Sequence, residues 1–278
     1  MKNYGIDIQR ELNERSPEDY SFGSLDISDI AAIPEYGRNM YYPFGEIQKN
    51  AQFDTMDCAS RAPVNILEMK FNFALNHGLL RQNEIAFLKD NGYIISGKVQ
   101  LSDRFIAVLS GTTIQGNSLK SPLQAIHEHG LIPKSKMPFE PWMTWDDYYN
   151  KEEVEKYKGL GQESLSLFSI NYTQVPRSAF NGAIKDDPII VAGYAWPEPV
   201  NGLYSRTELP FNHAFTLASG HFNAYDNYTD SVDNDYEKLL APNYSFFDYG
   251  YDLYLNRTGM VVKKKKPFLT RIKIYMGL

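Results

Sequence analysis

Hydrophobic spacing changes character once along this chain, near Leu165, and that change restricts the architectures open to it. Before it, apolar residues recur at helical spacing. Val64, Leu67, Phe71 and Leu75 share one helix face, Pro63 fits the first turns, and Gly78 is a stop. A second helix fits about residues 82–90 and ends at Gly92. Ser102 caps a third in "LSDRFIAVLSG". Ser121 and Pro122 open a fourth in "SPLQAIHEHG", which Gly130 closes. The charged "WDDYYNKEEVEKYKG" reads as a solvated helix, with Trp142 and Trp145 covering the core beside the helices. After Leu165 come β-branched and aromatic runs of period two: "DPIIVAGYAW", "HAFTLASGHF", "NAYDNYTD" and "FLTRIKIYMG". Helices first and strands second argue for an α+β protein, not a parallel α/β one. Residues 1–32 are polar and mixed and read as an N-terminal extension, with one short helix that stops near Pro17.

The formal net charge of −6 excludes wholesale nucleic-acid binding. The basic run Lys263 to Lys266 reads as a solvated tail or turn. One cysteine rules out an intramolecular disulfide, unlike a stapled secreted protein. The N-terminus has no apolar signal-peptide core, and no stretch approaches the roughly 18 apolar residues of a membrane span. "DSVDNDYE" lacks the glycine and terminal glutamate of a calcium loop and reads as a polar loop.

The lone cysteine, Cys58, stands at the start of the best amphipathic helix. A thiol attacks as thiolate, and a helix N-terminus together with a nearby imidazolium favours that form. Gln52, six positions upstream, is placed to give an amide to a developing oxyanion beside the Cys58 N–H. Of the five histidines, His77 ends a helix, His127 and His129 face different ways on another, and His221 sits in a probable turn. His213 opens a strand after a polar turn. A hairpin turning near Ser219–Gly220 would bring Asp226 or Asn227 beside it to orient the ring.

These pieces resemble the papain-like cysteine peptidases. The carriers are the Gln52–Cys58 spacing, "NHA" at Asn212 to Ala214, "IPEY" at Ile33 to Tyr36, "LSDRFIAVLSG", "QGNSL", "AIHEHGLIPKSKMPF" and "AIKDDPIIVAGYAW". They span about Ile33 to Gly259, in order. The usual Gly-Ser-Cys-Trp is here Met56-Asp57-Cys58-Ala59, which puts a negative charge beside the thiol. The usual Asn-Ser-Trp is replaced by Asp226-Asn227-Tyr228, with Asp226 aligned to the orienting residue and Asn227 as the alternative. The resemblance implies a helical N-terminal half (about 52–160) packed on an antiparallel, β-barrel-like C-terminal half (about 161–278), with a cleft between, inside a domain of residues 33–278. It implies Cys58 as nucleophile, His213 as its partner, Asp226 as orienter, Gln52 in the oxyanion hole and Gly116 with Asn117 in the substrate-binding loop.

Two functions follow as expectations. One is a thiol hydrolase acting on a peptide or protein substrate, without metal or cofactor. The other is a structural or binding module of a larger assembly, such as a virus particle, whose partners hold the terminal segments. Segments of that kind are usually disordered unless tied down. Neither expectation involves nucleic acid or membrane, and both place the protein in the cytoplasm or a virion.

Overall fold

The computed structural model describes residues 5–14, 25–26, 29–205, 211–220, 223–227, 236–259 and 263–264. His221, Tyr228, Pro17 and residues 230–235 and 268–277 lie outside the described residues.

The N-terminal segment contributes helix α1 (Ile8–Glu14) and strand β1 (Leu25–Asp26). The helical half then holds α2 (Cys58–Asn76), α3 (Gln82–Asp90), a small hairpin of β2 (Ile94–Ile95) and β3 (Lys98–Val99), α4 (Asp103–Leu109) and α5 (Lys120–His129). Ser102 caps α4 as expected, accepting the Phe105 N–H at 3.1 Å. The α5 helix starts before Ser121, and Ser118 Oγ accepts the Ser121 N–H at 3.0 Å. Ser121 Oγ is engaged instead by Arg10 and Glu14 of α1.

The charged stretch is not one solvated helix. It breaks into α6 (Trp145–Tyr148), α7 (Lys151–Glu155) and α8 (Lys158–Leu167). Tyr148 is fully buried among Phe53, Phe139 and Tyr149, while Trp142 is exposed rather than covering the core.

The second half is antiparallel. After β4 (Phe168–Pro176) come α9 (Phe180–Asp186), β5 (Ile189–Gly193), β6 (His213–Leu217), β7 (Asn223–Tyr225), β8 (Glu237–Leu239) and β9 (Tyr249–Arg257), in the spatial order β4-β9-β5-β6-β7-β8. Among the described residues the sheet stays open, which corrects the barrel-like expectation. Its β4 edge packs on α5 and α8, not on β8. A last strand, β10 (Lys263–Lys264), pairs with β1, so the basic run is not simply a tail.

Helix α2 runs between the halves, and every residue from Cys58 to Asn72 is buried. It begins at Cys58, as expected. Pro63 therefore falls in its second turn, where it lacks an N–H for the Ala59 carbonyl. A helix buried on all sides must satisfy its polar side chains inside the protein. Glu68 accepts the Leu101 N–H at 2.6 Å, and Asn72 accepts the Val99 N–H at 2.8 Å. Lys70 reaches Asp29 at 2.5 Å and Asp187 at 2.8 Å. Through Asp29 the N-terminal segment is tied to the core, and through Asp187 Oδ1 so is the Ile33 N–H, at 2.9 Å.

Lys70→Met leaves these buried carboxylates without their cation. At pH 8 it is expected to cost roughly 3–5 kcal/mol, the usual result of breaking a buried ion pair from one side. Burial raises the Asp187 pKa and pushes Asp252 up to about 6, so both hold protons in acid and the loss shrinks at pH 4.5. Urea unfolding at the two pH values measures the difference.

Candidate active site

Two long-range pairings build the site. The first is β5 with β6, where Gly193 opposes His213. Asn212 locks that end, donating its N–H to the Gly193 carbonyl and accepting the Ala195 N–H on Oδ1, both at 3.0 Å. A methyl on Gly193 would stand 2.8 Å from the Phe215 ring, so this close approach needs glycine. The second pairing is α2 on β6. Thr216 Oγ1 donates to the Ala62 carbonyl at 3.1 Å, and the Ala214 N–H donates to Cys58 Sγ at 3.3 Å.

The partner of the His213 ring follows from hairpin register. Thr216 opposes Tyr225 and Leu217 opposes Ala224, so Asp226 continues on the face that carries Phe215 and His213. His213 Nε2 lies 2.8 Å from Asp226 Oδ1, which leaves Nδ1 for the hydrogen bond that the ring shares with Cys58. Asn227 points to the other face, where its Oδ1 accepts from Asn65 of α2 at 2.5 Å. The second Asp226 oxygen accepts the Trp196 indole N–H at 2.6 Å. Trp196 also stands edge-on to His213, with ring centroids 6.1 Å apart. Sequence reasoning overlooked Trp196. Its place just after β5, opposite "NHA", is the signal that would have found it.

Asp57 does not aim its charge at the sulfur. It is fully buried, its Oδ1 takes the Arg61 Nε at 2.7 Å and the Thr55 hydroxyl at 2.5 Å, and its Oδ2 accepts the Tyr148 hydroxyl. Arg61 also meets Asp103 at 2.6 Å. A buried ion network thus anchors the first turn of α2, and Asp57 supplies carbonyl bonds to the N–H groups of Ser60 and Arg61. Met56, just before it, has φ +55°, a strained value for a side chain of that size.

Gly116 has φ +94°, and Asn117 is fully buried, its side chain donating to Ser110 Oγ at 2.8 Å and Thr112 Oγ1 at 2.9 Å. Its backbone pairs with the N-terminal segment, the N–H donating to the Gly5 carbonyl at 3.0 Å and the carbonyl accepting the Asp7 N–H at 2.8 Å. Gln52 is placed differently from the other candidates. It is exposed in the turn bounded by the Lys49–Asp54 bridge, its N–H on Asn50 Oδ1 at 2.8 Å, and no described contact joins it to Cys58. Of the remaining histidines, His77 bonds the Tyr41 hydroxyl and His127 the Ile170 carbonyl, both at 2.8 Å, as structural histidines do.

Cys58 is only 1% exposed. Burial pushes its thiol up in pKa, against the pull of the His213 ring and the Ala214 N–H. Burial alone would discharge the His213 ring, but the Asp226 carboxylate and Cys58 outweigh it, so the imidazole is held well above its ordinary value. Burial thus opposes charge on both groups, and the contacts among Asp226, His213 and Cys58 oppose burial in turn.

No family model matches the chain, and no curated protein matches it. Solved structures do. Xylellain, a cysteine protease from Xylella fastidiosa, is 14% identical with a TM-score of 0.51, over 91% of this chain and 95% of its own. The chain has the papain-like fold. A structure from work on the mite allergens Blo t 1 and Der p 1 covers 91% of this chain and 78% of its own at 11% identity, TM-score 0.51. Digestive procathepsin L 3 of Tenebrio molitor larval midgut covers 91% and 76% at 14% identity, TM-score 0.50. The papain-like neighbours are cysteine proteases, and at these identities the likeness is one of fold.

Arg61 is the cation that Asp57 and Asp103 share at the start of α2. Arg61→Met leaves Asp57 and Asp103 buried without a cation, and is expected to lower the unfolding free energy by about 3 kcal/mol or more. Adding Asp103→Asn should restore part of the loss in the double variant, as read from denaturant midpoints.

Proposed function

We propose that this protein is a papain-like thiol peptidase. The observation that carries the reading is the unbroken chain of contacts from the Trp196 indole through Asp226 and His213 to Cys58. The Cys58 thiol gives its proton to the His213 ring, and the thiolate Sγ attacks a peptide or isopeptide carbonyl carbon. The Cys58 N–H, first in its helix and without an intrahelical acceptor, faces the developing oxyanion. His213, now an imidazolium, gives its proton to the leaving amine as the C–N bond breaks. It then takes a proton from the water that attacks the thioester and returns it to the sulfur as the C–S bond breaks, which releases the acid and restores the thiol. Asp226 holds the ring, and Trp196 holds Asp226, acting as a positioning residue. The substrate is an extended chain lying along Gly116 and Asn117.

A second reading, a peptide-binding module of a larger assembly such as a virion, is favoured by the buried, protonated thiol. Cys58→Ala separates the two. On the peptidase reading it abolishes cleavage of a mixed peptide library and leaves peptide binding intact. If wild type cleaves nothing under any condition that exposes the thiol, the binding module stands.

Two further outcomes follow. Asp226→Asn removes the carboxylate that holds up the His213 pKa, so the alkaline limb of the kcat/KM profile should move to lower pH. Gln52→Ala should cost about tenfold or less in kcat, well below the 10²–10³ typical of a fixed oxyanion donor, because the exposed amide is not preorganised.

A further inference from the structure

A pocket of about 490 Å³ opens at the turn end of the β6–β7 hairpin. Its walls come from the segment that holds Glu35, Tyr36, Asn39 and Tyr42, from Ala218 and Ser219 after β6, and from Asn223 and Glu237, which open β7 and β8. A volume of that size takes a small ligand. His213 opens β6 and Asp226 follows β7, so the Cys58 site lies at the other end of the same hairpin. Five strand residues at about 3.3 Å each put roughly 16 Å between the two ends. The pocket has carboxylates on two of its walls, and each has a partner that orients it. Glu35 Oε1 accepts the Gly220 N–H at 2.5 Å, and Glu237 accepts the Tyr42 hydroxyl. Among the described residues Glu35 Oε2 takes no hydrogen bond.

Among the described lining residues the cation is Arg38, and its nitrogens are spent elsewhere. It is 2% exposed, and its guanidinium donates to the carbonyls of Ile33 at 3.2 Å, Ala218 at 2.6 Å and Ile184 at 2.9 Å. An anion entering the pocket would therefore meet two carboxylates, with the guanidinium behind the wall turned to backbone carbonyls. A cation meets acceptors: the carboxylate oxygens, the amide oxygens of Asn39 and Asn223, and the Ser219 hydroxyl. Tyr36 also lines the pocket and is 96% exposed. Packing does not hold a ring so exposed, and its face is open to a cation. We propose that this pocket binds a ligand carrying a guanidinium or primary ammonium group, with Glu35 and Glu237 as its counter-charges and Tyr36 against its face. An occupant bonded to both carboxylates links the Glu35 segment to β8 across the hairpin turn. The site is separate from the Cys58 groove and does not rest on the peptidase reading.

Isothermal titration of the full-length chain at low salt and neutral pH tests the site. The probes are agmatine, a capped alanine peptide with one central arginine, and inorganic phosphate as the anion control. The peptide arm uses Cys58→Ala so that the probe is not consumed. Agmatine should bind saturably, once per chain, with a Kd below about 1 mM. Glu35→Gln and Glu237→Gln keep the shape and remove one charge each, and should each weaken it about tenfold. Tyr36→Ala should weaken it several-fold. Glu128→Gln, an exposed carboxylate on α5, should change nothing. Glu237 and Tyr36 are exposed, so their variants report on binding even if Glu35→Gln unfolds. Agmatine binding without peptide binding makes the ligand a free small cation. Peptide binding as tight as agmatine makes it an arginine side chain of a protein. The proposal is overturned if neither probe binds saturably below about 10 mM, if phosphate binds more tightly than agmatine, or if Glu237→Gln and Tyr36→Ala bind agmatine as wild type does.

Discussion

The complete burial of α2 governs the rest of the structure. A helix carrying Arg61, Asn65, Glu68, Lys70 and Asn72 pays a large desolvation cost inside a core unless each finds a partner. Each does, and the partners come from turns, a two-residue strand and strand ends: the Thr55–Asp57 turn, the Leu101 and Val99 backbone, Asp29, and Asn227 just past β7. The helix thus acts as a spine from which loops are hung by single polar contacts. The Cys58 end is hung the same way. The Arg61 network sets the first turn, and that turn presents the sulfur to the edge of β6.

Asp57 is informative here, because as a sequence feature it argues against a thiolate. In the folded chain its charge is consumed four residues downstream by Arg61 and capped by Tyr148. A charge adjacent in sequence to a reactive group says little until its direction is known. On the first turn of a helix, neighbouring side chains point about 100° apart, and the nearest cation decides where the field goes.

Much of the fold was legible. The helix of Cys58, the Ser102 cap, the helices ending at Gly92 and Gly130, and strands β5 to β7 follow from local spacing and turn residues. The nine-residue strands β4 and β9 were not individually legible. They pair with one another across the whole β half, and their polar positions, such as Thr173 and Asp252, are buried by that pairing. The same limit applies at the site. Once a hairpin is granted, parity alone chooses Asp226 over Asn227, but parity needs a register that sequence does not supply. Trp196 reaches Asp226 across two strands, and Gly5 reaches Cys58 across most of the helical half, so no spacing rule connects either pair.

The crossing of Gly5 over Cys58 joins steric access and electrostatics in one contact. Gly5 stands over the sulfur, and the His213–Asp226 pair lies buried beside it. Ionising the sulfur would then bury a second negative charge away from water, and burial is the largest influence keeping the thiol protonated. The contacts of His213 and Asp226 belong to the β6–β7 hairpin and Trp196, not to the N-terminal segment. The pull of the His213 ring and the Ala214 N–H on the thiol opposes the effect of burial. Access to the sulfur and the cost of charging it are therefore set by the same close crossing.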